Sequence, residues 1–182
     1  MKRVLILTGD GGEGYEAWYA IHRLREAGHE PVVAATSRRR LHMVMHDFEP
    51  GWDTYVERPG YGVNADAAVA DLSAVDFDAV LVLGGRAPEY LRHNTHVLRL
   101  VSEFAQQDKW LFAICHGIQV FNAAGVVAGR KVTCYEHVRS EVTQAGGEWR
   151  PEQAVRDGRM VTAQTWESHP EFYREVMACL AS

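Results

Sequence analysis

The chain carries a cysteine, a histidine and a glycine in succession, Cys115-His116-Gly117, directly after the apolar run Trp110-Leu111-Phe112-Ala113-Ile114. A thiolate is a strong nucleophile, and a side chain set on a sharp strand-to-helix turn, a nucleophile elbow, is pushed into a cleft. Backbone N–H groups and the positive dipole at the start of the next helix would stabilise that thiolate and pull its pKa below the free value of about 8.5. They would also hold an oxyanion. His116 is placed to act as base or proton shuttle. Glu13, in Gly9-Asp10-Gly11-Gly12-Glu13-Gly14-Tyr15-Glu16, is the second candidate. A carboxyl buried beside a thiol tends to keep its proton, so it would hydrogen-bond the sulfur and pass protons. Glu16 reads instead as an ordinary acid at a helix start. Cys134 and Cys179 read as packing residues, in a chain with no CxxC and no disulfide pattern.

Short apolar runs alternating with helical patterns must position these groups. Val4-Leu5-Ile6-Leu7, Pro31 to Ala35, Ala79 to Leu83 and Trp110 to Ile114 read as buried strands, and His42 to Met45 as a short one. Tyr15 to Ala27, Val97 to Gln107 and His116 to Ala124 read as helices, the first closed by Gly28. Strands apolar on both faces and separated by helices predict a three-layer α/β sandwich, flavodoxin-like, with a mostly parallel sheet covered by helices on both faces. In such sheets ligands sit beyond the carboxyl ends of the strands. The strand ends at 9–16, 84–89 and 115–117 then converge on one edge. Residues 41–70 break the rhythm, and the long stretch 46–61 reads as a lid or interface segment or as surface decoration.

The 182 residues, 47% apolar and 24% charged, suit one folded domain over 1–182 rather than a disordered chain. The net charge of −5 gives no global case for nucleic acid. Arg38-Arg39-Arg40 is too short a run to alter that. The apolar start is too brief for a signal peptide or a membrane span, so a cytoplasmic protein with free thiols is expected. His42-x-x-x-His46 would pair on a metal only within a helix, and the stretch reads as a strand; no metal or cofactor is expected.

Together these residues resemble the ThiJ/PfpI superfamily, which includes the Parkinson-disease-associated deglycase. Gly84-Gly85-Arg86-Ala87-Pro88-Glu89-Tyr90-Leu91 and Ile114-Cys115-His116-Gly117 carry the likeness most specifically. The stretch from His46-Asp47-Phe48-Glu49 to Glu57-Arg58-Pro59-Gly60-Tyr61 resembles the branch of glutathione-independent glyoxalases. The resemblance implies Cys115 as nucleophile, Glu13 as its bonded carboxyl and His116 as the adjacent histidine. It implies that Glu89 reaches a neighbouring subunit's Cys-His pair, in a dimer or hexamer. The reaction implied is conversion of methylglyoxal, glyoxal or their protein adducts without cofactor. Ile118, Gly14 and Tyr135-Glu136 depart from the common pattern near the pocket, which leaves the substrate open.

Four other readings compete. Gly9-x-Gly11-x-x-Gly14 followed by the arginines mimics a dinucleotide site, but Asp10, Glu13 and Glu16 crowd the place of a pyrophosphate. His169-Pro170-Glu171 mimics an amidotransferase partner of the cysteine, though Pro170 suits the first turn of a helix. A PfpI-like intracellular peptidase would share Cys115, His116 and Glu89. A non-enzymatic redox-sensing stress protein would oxidise Cys115 to a sulfinic acid.

Overall fold

The computed structural model describes all 182 residues. Its strands are β1 (Arg3–Leu7), β2 (Glu30–Ala35), β3 (Val44–Asp47), β4 (Val56–Pro59), β5 (Ala67–Ala68), β6 (Ala79–Val82), β7 (Trp110–Ile114), β8 (Ala154–Asp157) and β9 (Met160–Ala163). Its helices are α1 (Gly14–Glu26), α2 (Ala87–Leu91), α3 (Thr95–Gln106), α4 (Ile118–Ala123), α5 (Arg139–Gln144) and α6 (His169–Ala181). Seven strands form the central sheet in the order β8-β9-β7-β6-β1-β2-β5, parallel except for the β8–β9 edge pair. Two-residue pairs at Arg40–Leu41 with Val63–Asn64, and Lys131–Val132 with Glu148–Trp149, lie outside it.

The apolar runs explain the layering. Every residue of β6, β7 and β9 is buried, so both faces of the sheet centre are covered. On one side α1 and α6 meet through Tyr19, His169 and Tyr173. Helices α3, α4 and α5 form the other group. Phe104, Phe112, Phe121 and Phe172 are among the largest fully buried side chains, each worth about 1.5–3 kcal/mol by removal from water. The fold is the predicted three-layer, mostly parallel arrangement. No helix is long and apolar enough to cross a membrane.

Helix α1 begins where the Glu13 side chain accepts the Glu16 N–H at 2.8 Å, an N-cap that satisfies an otherwise unpaired donor. It ends before Gly28, whose φ of +76° suits glycine. Residues 41–70 form neither a helix nor a plain loop. The hairpin β3–β4 pairs Val44–Asp47 with Val56–Pro59 and places His46 opposite Glu57. The strand expected over 42–45 starts at Val44, because the His42 carbonyl accepts Gly11 N–H and Val44 N–H donates to Gly12. The Trp166 indole N–H donates to the His46 carbonyl at 3.1 Å, tying the hairpin to the start of α6.

Candidate active site

The three strand ends do meet. Gly12 bridges Gly85, Glu13 N–H donates to the Gly84 carbonyl at 3.3 Å, and Arg86 N–H to the Gly11 carbonyl at 2.9 Å. Gly85, at φ +74°, has no room for a side chain: a Cβ there would strike the Gly11 carbonyl oxygen and lie 2.5 Å from Glu13 N. This loop-to-loop clasp also disposes of the dinucleotide reading. The N–H groups of Gly11, Gly12 and Glu13 already have backbone partners, and Arg39 is paired with Asp10 at 2.7 Å.

Cys115 stands on the elbow with φ +59°, one of two non-glycine residues with positive φ. Such a conformation costs of order 1–3 kcal/mol and persists only where its surroundings impose it. The residues after it form a 3₁₀ turn, Cys115–Gly117, before the six-residue α4. The helix expected from His116 is therefore shorter, with little aligned dipole to offer the sulfur. Burial pushes the Cys115 thiol well above its ordinary range, and Glu16 adds to this; the backbone N–H groups of His116 and Gly85 pull the other way. The expected depression of the thiol pKa is corrected on that ground.

His116 Nδ1 lies 3.3 Å from Cys115 Sγ. Burial, with His46 and His137 nearby, brings the His116 pKa down to about 4, so the ring is neutral at pH 7 and free to accept the thiol proton.

The two acids of the first loop divide their work differently from the expectation. Glu13 is buried and lines the same cavity as Cys115, but its carboxyl caps α1. Glu16 is fully buried, and its Oε2 accepts the Gly84 N–H at 2.6 Å. A Cβ placed on Gly84 would lie 3.0 Å from both Cys115 Sγ and Glu16 Oε2. Glu16 also acts on the thiol more strongly than Glu13 does. Burial, then the neighbouring Glu13, raises the Glu16 pKa well above the carboxylate range, so it holds a proton. Its Oε1 has no hydrogen-bond partner. Glu16, read from sequence as a helix-start acid, is thus a carboxyl group at the thiol.

The cavity over Cys115 is lined by Glu13, His46, Phe48, Tyr55, His116 and neighbouring residues, and leaves space for about one water. The segment 46–61 is therefore part of the site wall. A larger cavity of about 560 Å³, lined by Tyr15, Trp18, Met45 and Tyr61 among others, contains no cysteine or carboxylate, so the chemistry belongs to the smaller one. Glu89 lies exposed on α2, outside that cavity. His169 opens α6, followed by Pro170, and its ring stacks on Tyr19 at 4.3 Å. It does not line the Cys115 cavity.

The model of the DJ-1/PfpI family matches residues 2–179. The chain is 40% identical over 186 residues to protein DJ-1 homolog D of Arabidopsis thaliana, covering 98% of this chain and 48% of the plant protein, so it spans about half that relative's length. It is 36% identical over 162 residues to deglycase TK1284 of Thermococcus kodakarensis, covering 89% of each. A two-domain Anabaena variabilis protein, with DJ-1/ThiJ/PfpI-like and ferritin-like domains, superposes with a TM-score of 0.87 at 26% identity, over 100% of this chain and 48% of that one. Names among other relatives include deglycase and cysteine protease.

Proposed function

The chain belongs to the DJ-1/PfpI family, and from that membership we propose that it is a cofactor-independent enzyme of glyoxalase or deglycase type. Its substrates would be methylglyoxal, glyoxal or their adducts with proteins, in carbonyl detoxification. The observation that carries this reading is the 3.3 Å contact between Cys115 Sγ and the neutral His116, beside the protonated Glu16.

In the proposed reaction His116 takes the thiol proton as sulfur adds to the aldehyde carbon, and returns it to the new oxygen. The hemithioacetal isomerises to a 2-hydroxyacyl thioester, and water releases lactate or glycolate and the free thiol. The protein thiol takes the place of a soluble thiol such as glutathione. Glu89 belongs to the same proposal as a residue offered to a neighbouring subunit in a dimer or hexamer, where its exposure would leave it available. A peptidase or related hydrolase is the second reading, favoured by the protease name of one relative.

The deciding experiment follows methylglyoxal consumption by wild type and Cys115→Ala without glutathione or metal, with lactate as the product read. Cysteine-dependent lactate supports the proposal. Full activity in folded Cys115→Ala, or no lactate from folded wild type, rejects it.

A further inference from the structure

We propose that His46 is a second catalytic base of this site, one that moves the carbon-bound proton while His116 serves the thiol, with Glu57 and Arg86 as its positioning residues. The inference rests on the glyoxalase-type reading above and deepens it.

His46 is 7% exposed and lines the cavity that holds Cys115 and His116. It comes from a different element, the hairpin strand β3, where it faces Glu57 across the ladder. Its Nε2 lies 3.2 Å from Glu57 Oε2. Arg86 grips the same carboxylate from two nitrogens, Nε to Oε2 and Nη2 to Oε1, each at 3.0 Å. That clamp lowers the Glu57 pKa, so the carboxylate accepts and does not donate. The proton on the imidazole therefore sits on Nε2, and the lone pair on Nδ1. Burial keeps the ring neutral against the opposing pull of Glu57. The ring packs edge-on against Tyr55 at 4.4 Å, and Tyr55 in turn stands 6.1 Å from the His116 ring, so the two imidazoles look into one space.

His116 cannot readily serve both steps, because its Nδ1 already faces the sulfur. In the isomerisation, His46 Nδ1 takes the proton from C1 of the hemithioacetal, and that C–H electron pair forms the C1–C2 double bond. The C2 carbonyl electrons move onto its oxygen. The hydroxyl proton on C1 passes to that neighbouring oxygen, and His46 returns its proton to C2 as C1 becomes the thioester carbonyl. C1 is oxidised and C2 reduced within one molecule, so no outside oxidant enters. The titratable or charged groups facing His46 are Glu57, Arg86, Tyr55, His116 and, through the His46 backbone N–H, Glu13.

The test compares wild type, His46→Gln and Glu57→Gln for lactate production from methylglyoxal, for iodoacetamide alkylation of Cys115, and for thermal unfolding. His46→Gln should keep Cys115 alkylation within about threefold while kcat for lactate falls about 100-fold or more, the size expected of a general base. Glu57→Gln should move the acid limb of the kcat/KM profile to lower pH, because it removes the group that raises the His46 pKa; a merely structural role would leave that limb in place. Wild-type turnover with His46→Gln within threefold of it overturns the inference alone. Equal loss of alkylation and turnover in both variants also overturns it. No lactate from wild type overturns the inference and the reaction it rests on together.

Discussion

Glu16 reaches across from α1 to the loop after β6, where its Oε2 accepts the Gly84 N–H at 2.6 Å. The bond fixes the carboxyl beside Cys115, while burial and the neighbouring Glu13 raise its pKa against the pull of that N–H. The sign of its linkage follows: a folded pKa raised above the unfolded value contributes stability in full below the ordinary carboxylate range, and loses it as pH rises through the raised value. Glu16→Gln keeps the oxygen that Gly84 needs and removes the acidic proton. It should raise thermal stability relative to wild type at neutral pH, where the unfolded carboxyl is ionised, and lower methylglyoxal turnover by about 100-fold or more. Glu13→Gln, which keeps a capping oxygen, should cost less than about tenfold. Steady-state kinetics on the two variants decides between them, and a larger loss at Glu13 would reverse the assignment.

Gly85 provides a purely mechanical check on the clasp. A methyl group there meets backbone on the facing loop, which cannot swing aside as a flexible side chain can. Its φ of +74° adds left-handed strain of roughly 1–2 kcal/mol for any other residue. Gly85→Ala should destabilise the protein by about 2 kcal/mol or more, a fall in Tm of about 4–8 °C for a chain of this size. Calorimetry would measure it, and an unchanged Tm would show that the two loops move apart freely.

His169 has both ring nitrogens buried without partners, and burial brings its pKa down to about 4. Its unfolded counterpart titrates near 6.5. Between those values the unfolded chain binds more protons, so stability falls as pH falls from 6.5 to 4, by about 3 kcal/mol from this group. His169→Phe keeps an aromatic ring against Tyr19 and has nothing to titrate. Denaturant unfolding at pH 7 and pH 4.5 should show a smaller pH dependence in the variant. An identical dependence would mean that the ring reaches solvent in the native state.

The elbow and four of the seven sheet strands, at residues 4–7, 31–35, 79–83 and 110–114, were legible because they are short-range facts, continuous apolar runs; the short β5 and the edge pair β8–β9 carry no such run long enough to stand out. The division of labour between Glu13 and Glu16 was not. The two lie three residues apart, on neighbouring positions of one helix turn. Which of them faces the thiol depends on where the loop after β6 crosses, a contact 68 residues away in sequence. His46 was equally hidden. Its partner Glu57 is set by hairpin register, and one residue of slip would turn the pair to opposite faces. The thiol expectation missed for a third reason: the depth at which the sulfur is buried, and Glu16 beside it, are set by the packed fold and raise the thiol against the pull of the His116 and Gly85 N–H groups.

The three thiols should separate cleanly by reactivity. Cys134 is fully buried, and burial takes its pKa up to about 12. Cys179 is also fully buried and likewise raised by burial. Cys115 is raised too, yet it keeps 9% exposure where the other two keep none, borders a cavity and has a neutral imidazole 3.3 Å away to take its proton. All three thiols are raised, so what ranks them is access and a neighbouring base that takes the proton as the sulfur attacks, and Cys115 has both. One equivalent of iodoacetamide at pH 7.5 should therefore label Cys115 almost alone, as read by peptide mass spectrometry. His116→Phe should slow that labelling by about tenfold or more without exposing the other two. Labelling of Cys134 at a comparable rate would mean that the native fold opens around the Cys134–Trp149 contact on the timescale of the reaction. Unchanged Cys115 labelling in His116→Phe would mean that the thiolate forms without the imidazole, with the backbone N–H groups of His116 and Gly85 as its stabilisers.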